Sequence, residues 1–182
     1  MLPKLNLRRS VLILALTAVP AAYAARIVIT GPGPQLHIAI GSPGTTIDTV
    51  VFDLAATSPG SGTPIAGSAP VRVEVAYKKQ RTLPVIIVVT TDGSAAMTCT
   101  TPASCGAATI PMTQISWTAS MGQWPSGMFS GGANQLLLTF LAGGTGGAIT
   151  RREDVLSYSY ANSTAYPAGV FQGRVTYTAV SF

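Results

Sequence analysis

Val71-Arg72-Val73-Glu74-Val75-Ala76-Tyr77 alternates without a break, with Val71, Val73, Val75 and Tyr77 on one side and Arg72, Glu74 and Ala76 on the other. Successive side chains of a strand point to opposite faces, so this pattern is that of a half-buried β-strand. Further on, Val85-Ile86-Ile87-Val88-Val89 is apolar at every position, as expected of a strand covered on both sides. Working outward from 70–77 and 83–90, short β-branched segments punctuated by Gly and Pro predict further strands near 26–30, 35–40, 46–54, 109–118, 135–141, 154–160 and 170–182. Nothing beyond the N-terminal leader reads as a long amphipathic helix. Many short strands with turn signals between them make the fold all-β, a sandwich or a barrel. Ser58–Ser68 (SPGSGTPIAGS) and Gly143–Gly147 (GGTGG) read as flexible loops inside one domain, and no repeat of solenoid or propeller period occurs.

The 182 residues are 47% hydrophobic and only 9% charged, with a mean hydropathy of +0.41. Much of that average comes from the N-terminus. Lys4, Arg8 and Arg9 form a basic region, Val11–Val19 an apolar one, and Ala22-Tyr23-Ala24 a small-residue cleavage site. This predicts a signal peptide over 1–24, because the apolar run is shorter than the roughly 20 residues that span a bilayer. Its removal lowers the basic residues from 11 to 8 against 6 acidic ones, and the net charge from +5 to +2. Eight scattered cations make no phosphate-binding stripe, which argues against a nucleic-acid partner. The expected product is exported to the periplasm as one domain with no transmembrane segment.

Catalytic chemistry finds little support. The one histidine, His37, lies opposite Leu36, Ile38 and Ile40 on an alternating stretch and reads as a solvated strand residue. No G-x-S-x-G elbow accompanies it, and one His with two cysteines is too few for a zinc site. Among Asp48, Asp53, Glu74, Asp92, Glu153 and Asp154 no pair suggests glycosidase chemistry. Arg151-Arg152-Glu153-Asp154 reads as a charged turn. GGTGG lacks the Lys-Ser/Thr of a phosphate loop, and Asn162-Ser163-Thr164 matches a glycosylation sequon, a motif common by chance. The expectation is a non-enzyme without cofactor or metal. Cys99 and Cys105 enclose a short loop and are expected to form a disulfide in an oxidising compartment, worth about 2 kcal/mol and pinning a loop between strands.

The two ends are more informative. Residues 168–182 run to the last position as an apparent strand, with Phe171, Val175, Tyr177 and Ala179 on one face, Gly173 among them, and Arg174, Thr176 and Thr178 on the other. Ala25-Arg26-Ile27-Val28-Ile29-Thr30 is a strand-forming arm separated from the rest by Gly31-Pro32-Gly33-Pro34, through which no ladder can continue.

In these features the chain resembles the subunits of chaperone–usher pili, as a divergent member. Their C-terminal signature is a glycine fourteenth from the end, an aromatic soon after, and alternating apolar residues. Ala168, Gly169, Phe171 and Gly173 match it here over about fifteen residues. Ser181 stands where the family often has an aromatic, and the cysteine pair is not the usual one joining early strands. The resemblance implies an immunoglobulin-like β-sandwich lacking its last strand, spanning 35–182, with 25–34 as an N-terminal donor strand. It implies a periplasmic chaperone that fills the open groove beside Gly169, Phe171, Gly173, Val175, Tyr177 and Ala179. It also implies an outer-membrane usher, and neighbouring subunits whose arms replace the chaperone strand to build a fimbria at the cell surface. Ile27 and Ile29 are the expected anchors of the arm, with Leu36, Ile38 and Ile40 as the alternative if it extends through GPGP. Adhesion or biofilm formation is the implied role.

A second expectation is a self-contained secreted sandwich that binds carbohydrate or protein. It would use Trp117, Trp124, Tyr158, Tyr160 and Tyr166 as a stacking surface and the loop Met121–Gly132 as its binding element. A third, a hydrolase dependent on His37, has the least support.

Overall fold

The computed structural model describes residues 35–41, 49–54, 58–78, 84–143 and 148–182. The leader 1–24, the arm 25–34 with Ile27 and Ile29, and Asp48 lie outside them. The strands are β1 (Gln35–Ile40), β2 (Ile65–Ala66), β3 (Val71–Lys78), β4 (Val85–Asp92), β5 (Met97–Cys99), β6 (Thr109–Ile110), β7 (Ile115–Ala119), β8 (Gly127–Met128), β9 (Gln135–Ala142), β10 (Ile149–Tyr160), β11 (Phe171–Gln172) and β12 (Thr176–Ser181). A single helical turn, α1 (Pro102–Cys105), follows β5. The first sheet has the order β1-β3-β10-β7-β8 with β2 also on β10, the second β12-β4-β9, and the third β11-β5-β6. Among the described residues every ladder is antiparallel and none closes into a barrel. The fold is an all-β sandwich.

Alternation in β3 does what its sequence demands: Val71, Val73, Val75 and Tyr77 are buried while Arg72 and Glu74 face outward. On one side β1 pairs it from Gln35↔Lys78 to Ile40↔Val73, seating Leu36, Ile38 and Ile40 against the core. On the other side β10 pairs it from Ile149↔Lys78 to Leu156↔Val71. The quartet Arg151-Arg152-Glu153-Asp154 is therefore mid-strand and not the expected charged turn, and β10 begins five residues before the predicted 154. Its charges obey the same two-residue period. Arg151 and Glu153 point outward, where Arg72 Nη2 meets Glu153 at 2.8 Å and Arg151 Nε meets Glu74 at 3.2 Å. Glu74 and Glu153 stand directly opposite each other, so the two arginines remove a like-charge repulsion. Arg152 points inward, its guanidinium 5.5 Å from the centre of the Phe140 ring on the second sheet.

Asp154 also points inward and is fully buried. Its carboxylate accepts backbone N–H bonds from Met121 (2.8 Å), Gln123 (2.8 Å), Trp124 (3.0 Å) and Val155 (2.8 Å). A buried charge is tolerated only with such saturation. Here it fixes the loop after β7 so that Trp124 enters the core. Trp117 and Phe129 lie beside it with ring centres 4.9 Å apart, and Phe129 stacks on Tyr158 at 6.3 Å.

Three further expectations are corrected. The segment 109–118 is not one strand: Pro111 ends β6, a 3-10 turn spans Met112–Gln114, and β7 follows. Residues 49–54 form no ladder, although Val50, Phe52 and Leu54 still pack on the core. The apolar run in β4 is covered on one side only. Ile87 and Val89 are buried, whereas Ile86 is 44% exposed on the outer face.

The Asp154 arrangement yields a stability test. Burial pushes its carboxyl pKa up, but the four N–H donors outweigh this and hold it below the ordinary value. A lowered carboxyl contributes stability that is present above the unfolded-state value and is lost as pH falls through the folded one. Asp154→Asn should therefore cost about 3 kcal/mol in urea unfolding at neutral pH. The deficit should shrink at acidic pH, where the wild-type carboxylate is itself protonated; an unchanged deficit there would contradict the assignment.

Candidate functional site

The C-terminal segment is two strands on two sheets, not the single strand expected over 170–182. β11 pairs with β5 through Phe171↔Cys99, and β12 pairs with β4 from Thr176↔Asp92 to Ser181↔Ile87. The break falls at Gly173-Arg174-Val175. The expected face assignment holds across it: Phe171, Val175, Tyr177 and Ala179 are all half-buried against the core. Phe182 continues the ladder, its N–H donating to Ile86 at 2.9 Å and its carbonyl accepting from Ile86 at 3.2 Å.

The Cys99–Cys105 disulfide forms, with Cα atoms 6.0 Å apart, and the loop it closes is the seat of this segment. Val170 donates its N–H to Thr101 Oγ1 at 3.0 Å and accepts from Thr100 N–H at 2.7 Å and Thr100 Oγ1 at 3.1 Å. Gly169 lies directly on the disulfide: a Cβ there would overlap Cys105 Sγ and come within 2.8 Å of Cys105 Cβ and 3.0 Å of Thr101 Oγ1. At Gly173 the nearest obstacle to a Cβ is Met97 Cγ at 2.5 Å, part of a flexible side chain. Sequence reasoning identified both glycines but not that the disulfide is what Gly169 must clear, because the two are 64 residues apart (105 to 169).

One polar contact ties β12 to the opposite sheet. The hydroxyls of Tyr158 on β10 and Tyr177 on β12 are hydrogen-bonded to each other. Burial raises the Tyr158 phenol well above its ordinary pKa, with Tyr177 adding to the shift through its charge and hydrogen bond. Burial raises Tyr177 as well, partly offset by the bond from Tyr158.

Among the described residues, β12 has a ladder partner only in β4, and β1 only in β3. These two edge strands lie against each other without hydrogen-bonding, β1 closing one sheet and β12 the other. Leu36, Ile38 and Ile40 from β1 and Tyr177 and Ala179 from β12 all remain half-buried. Among the described residues, the result is a seam between two strands that form no ladder with each other, over partly covered apolar side chains. Such a feature can accept an extended segment by strand addition.

The other candidates do not assemble into a site. Trp117, Trp124 and Tyr160 are buried at 5%, 3% and 4% exposure, and Tyr158 is bonded to Tyr177, so the expected aromatic stacking surface is core instead. The loop Met121–Gly132 presents Met121 and Met128 to solvent, not its tryptophan. His37 is half-buried on the outer face opposite Ala76, with Nε2 enclosed and without a hydrogen-bond partner, so it is not the solvated residue expected. Glu74 and Glu153 are ion-paired with Arg72 and Arg151, and Asp92 accepts from Ser94. Among the described residues no three His, Cys, Asp or Glu side chains converge as a metal site. Asn162 of the sequon is fully buried. Its Oδ1 accepts from Gly60 N–H at 2.9 Å and its Nδ2 donates to the Ser58 carbonyl at 3.1 Å, which makes it a loop clamp and not an accessible glycan acceptor. No protein-family model, curated protein or solved structure matches the chain.

Two tests follow from the seating of the C-terminal segment. Gly169→Ala should cost about 2 kcal/mol, because the disulfide cannot move aside, and Gly173→Ala distinctly less, because Met97 can; equal losses in thermal unfolding would refute the distinction. The raised phenol pKa values contribute stability that is intact below the ordinary tyrosine value and disappears as pH rises through the folded ones. Alkaline titration followed by tyrosinate absorbance should then show three late-ionising tyrosines, Tyr158, Tyr160 and Tyr177, and the ionisation of Tyr158 and Tyr177 should coincide with loss of β12 protection in hydrogen exchange. Tyr177→Phe should remove one of these late ionisations and leave that of Tyr158, which its own burial still raises.

Proposed function

We propose that this chain is a structural subunit of a bacterial surface fibre of the chaperone–usher type, polymerised head to tail by strand donation and supporting adhesion or biofilm formation. The observation that carries the reading is the seam between β1 and β12, two strand edges side by side over half-buried apolar side chains. An unpaired edge above apolar surface is an aggregation hazard unless a strand covers it. The match of Ala168, Gly169, Phe171 and Gly173 to the C-terminal signature of pilus subunits gives the reading its specificity, and the inward set Phe171, Val175, Tyr177 and Ala179 supports it.

On this reading the partners are a periplasmic chaperone, an outer-membrane usher and neighbouring subunits, and the product is exported and displayed at the cell surface. The donor is the arm 25–34, with Ile27 and Ile29 as anchors. The alternative anchors Leu36, Ile38 and Ile40 belong to β1, whose six registered pairs with β3 would have to break before they could be donated. A head-to-tail contact of this kind does not close on itself, so it propagates a fibre.

The deciding experiment is expression in a bacterial periplasm with and without a candidate chaperone. Degradation or aggregation of the chain alone, rescued as a 1:1 complex, is the expected result. A soluble monomer with a cooperative, chaperone-independent transition would overturn it. In the complex, deletion of 25–34 should leave chaperone binding intact and abolish donation to a neighbour.

A further inference from the structure

The Cys99–Cys105 disulfide joins residues only six apart, so it ties no distant elements together. Neither cysteine joins the cluster of apolar side chains that makes the core. What its loop touches instead is the C-terminal segment. Cys99 pairs with Phe171 in the β11 ladder, and Thr100 holds the Val170 carbonyl by two bonds. Thr101 Oγ1 accepts the Val170 N–H, and Gly169 rests on Cys105 Sγ. Gly169, Val170 and Phe171 are therefore all seated on one loop. That loop has little besides the sulfur bond to hold its own shape. α1 is a single turn of 4 residues with no side-chain cap, and a helix that short does not persist unaided. The backbone bonds from Ser104 and Cys105 to the Thr101 carbonyl, and from Gly106 to that of Pro102, belong to the same turn.

We infer that the disulfide is a redox latch on the C-terminal segment: its reduction releases Gly169, Val170 and Phe171 while the core stays folded. Two unbonded sulfurs must part to van der Waals separation. Cys105 Sγ has no room to withdraw toward Gly169, where even a Cβ would overlap it, and Thr101 Oγ1 is already 3.5 Å away. Parting the sulfurs therefore displaces the turn or lifts the segment, and either breaks the bonds to Val170. The reductant is a dithiol. Its thiolate attacks Cys99 Sγ, on the less buried of the two residues, which breaks the S–S bond and releases Cys105 as a thiolate that takes up a proton. The second thiolate of the reagent then displaces Cys99, which is protonated in turn, and the dithiol leaves oxidised as its cyclic disulfide. The effect reaches beyond β11. β12 begins just past Gly173-Arg174-Val175 and lies beside β1 at the seam. Once the latch opens, among the described residues β12 is held only by the β4 ladder and its own inward side chains. The inference needs no donated strand, so it stands apart from the fibre.

The test is hydrogen exchange read by mass spectrometry on the folded full chain, oxidised and in excess dithiothreitol, with loss of the disulfide checked by intact mass. The expected result is exchange about tenfold faster over 169–172, a smaller acceleration over 176–181, and none in β3 or β10. The double variant Cys99→Ser with Cys105→Ser should exchange in the same way without reductant, and dithiothreitol should not alter it. Linkage is reciprocal, so a looser seat must also ease reduction. Thr101→Val, which removes the acceptor of the Val170 N–H, should lower the dithiothreitol concentration for half-reduction about threefold. Leu141→Ala, at an exposed position on β9, should leave it unchanged. Reduction of the parent chain decides the matter even if a variant fails to fold. Protection over 169–172 that survives reduction would overturn the inference. So would equal acceleration in β3 and β10, which would make the bond a staple of the whole domain, or a half-reduction point unmoved by Thr101→Val.

Discussion

The register of β10 on β3 is the constraint from which the rest of the structure follows. Asp154↔Val73 and Leu156↔Val71 place Asp154 and Leu156 in the core, and Arg151 and Glu153 in solvent beside Glu74 and Arg72. A slip of one residue would exchange these sets and bury an arginine and a glutamate in place of a carboxylate that three backbone donors in the loop after β7 receive. Register, ion pairs and loop clamp thus specify one another. With β10 fixed, β7 and β2 pair along its far half, β1 extends β3, and the Trp117–Phe129–Tyr158 cluster closes against the second sheet.

The second sheet is held differently. It has three strands instead of six, and its third strand comes from the C-terminus. That strand depends on the β4 ladder, the Tyr158–Tyr177 bond and the seat of Gly169 on the disulfide loop. These anchors lie at one edge, at the inward face and at the start of the segment. The outer edge and outer face are left unpartnered among the described residues. The first sheet carries the ion-paired cluster of Arg72, Glu74, Arg151 and Glu153, and the seam is shared between its edge strand β1 and β12 of the second sheet.

How much of this was legible in the sequence depended on whether a signal was local. The alternation of β3 and the inward set of the C-terminal segment are period-two patterns, and both emerged with the faces expected. The start of β10 was hidden because Arg151-Arg152-Glu153-Asp154 reads as solvated; its burial of Asp154 depends on N–H groups some 30 residues earlier, which no local pattern announces. Trp117 and Trp124 were misplaced for a related reason. The Gly-, Ser- and Pro-rich composition around Trp124 signals an exposed loop, while the carboxylate that folds that loop inward lies on another strand. The uninterrupted apolar run of β4 predicts two-sided burial, but among the described residues only the side of Ile87 and Val89 is covered. The seam between β1 and β12 had only a partial signature: the sequence proposed two strand-like ends, and the topology set two edges side by side.

Among the described residues β12 has one ladder partner, and this bears on how firmly it is held. β12 is held to β4 by backbone bonds that run through to Phe182, while Val180 and Phe182 point outward and contribute little to the core. Its hold on the domain therefore rests on Tyr177, Ala179, the ladder and the seat of Gly169 at the start of the segment, and an edge strand frays more readily than a central one. A strand added at that edge would extend the ladder beyond β12 and oppose this fraying, so the strand held least firmly is the one that strand donation would stabilise.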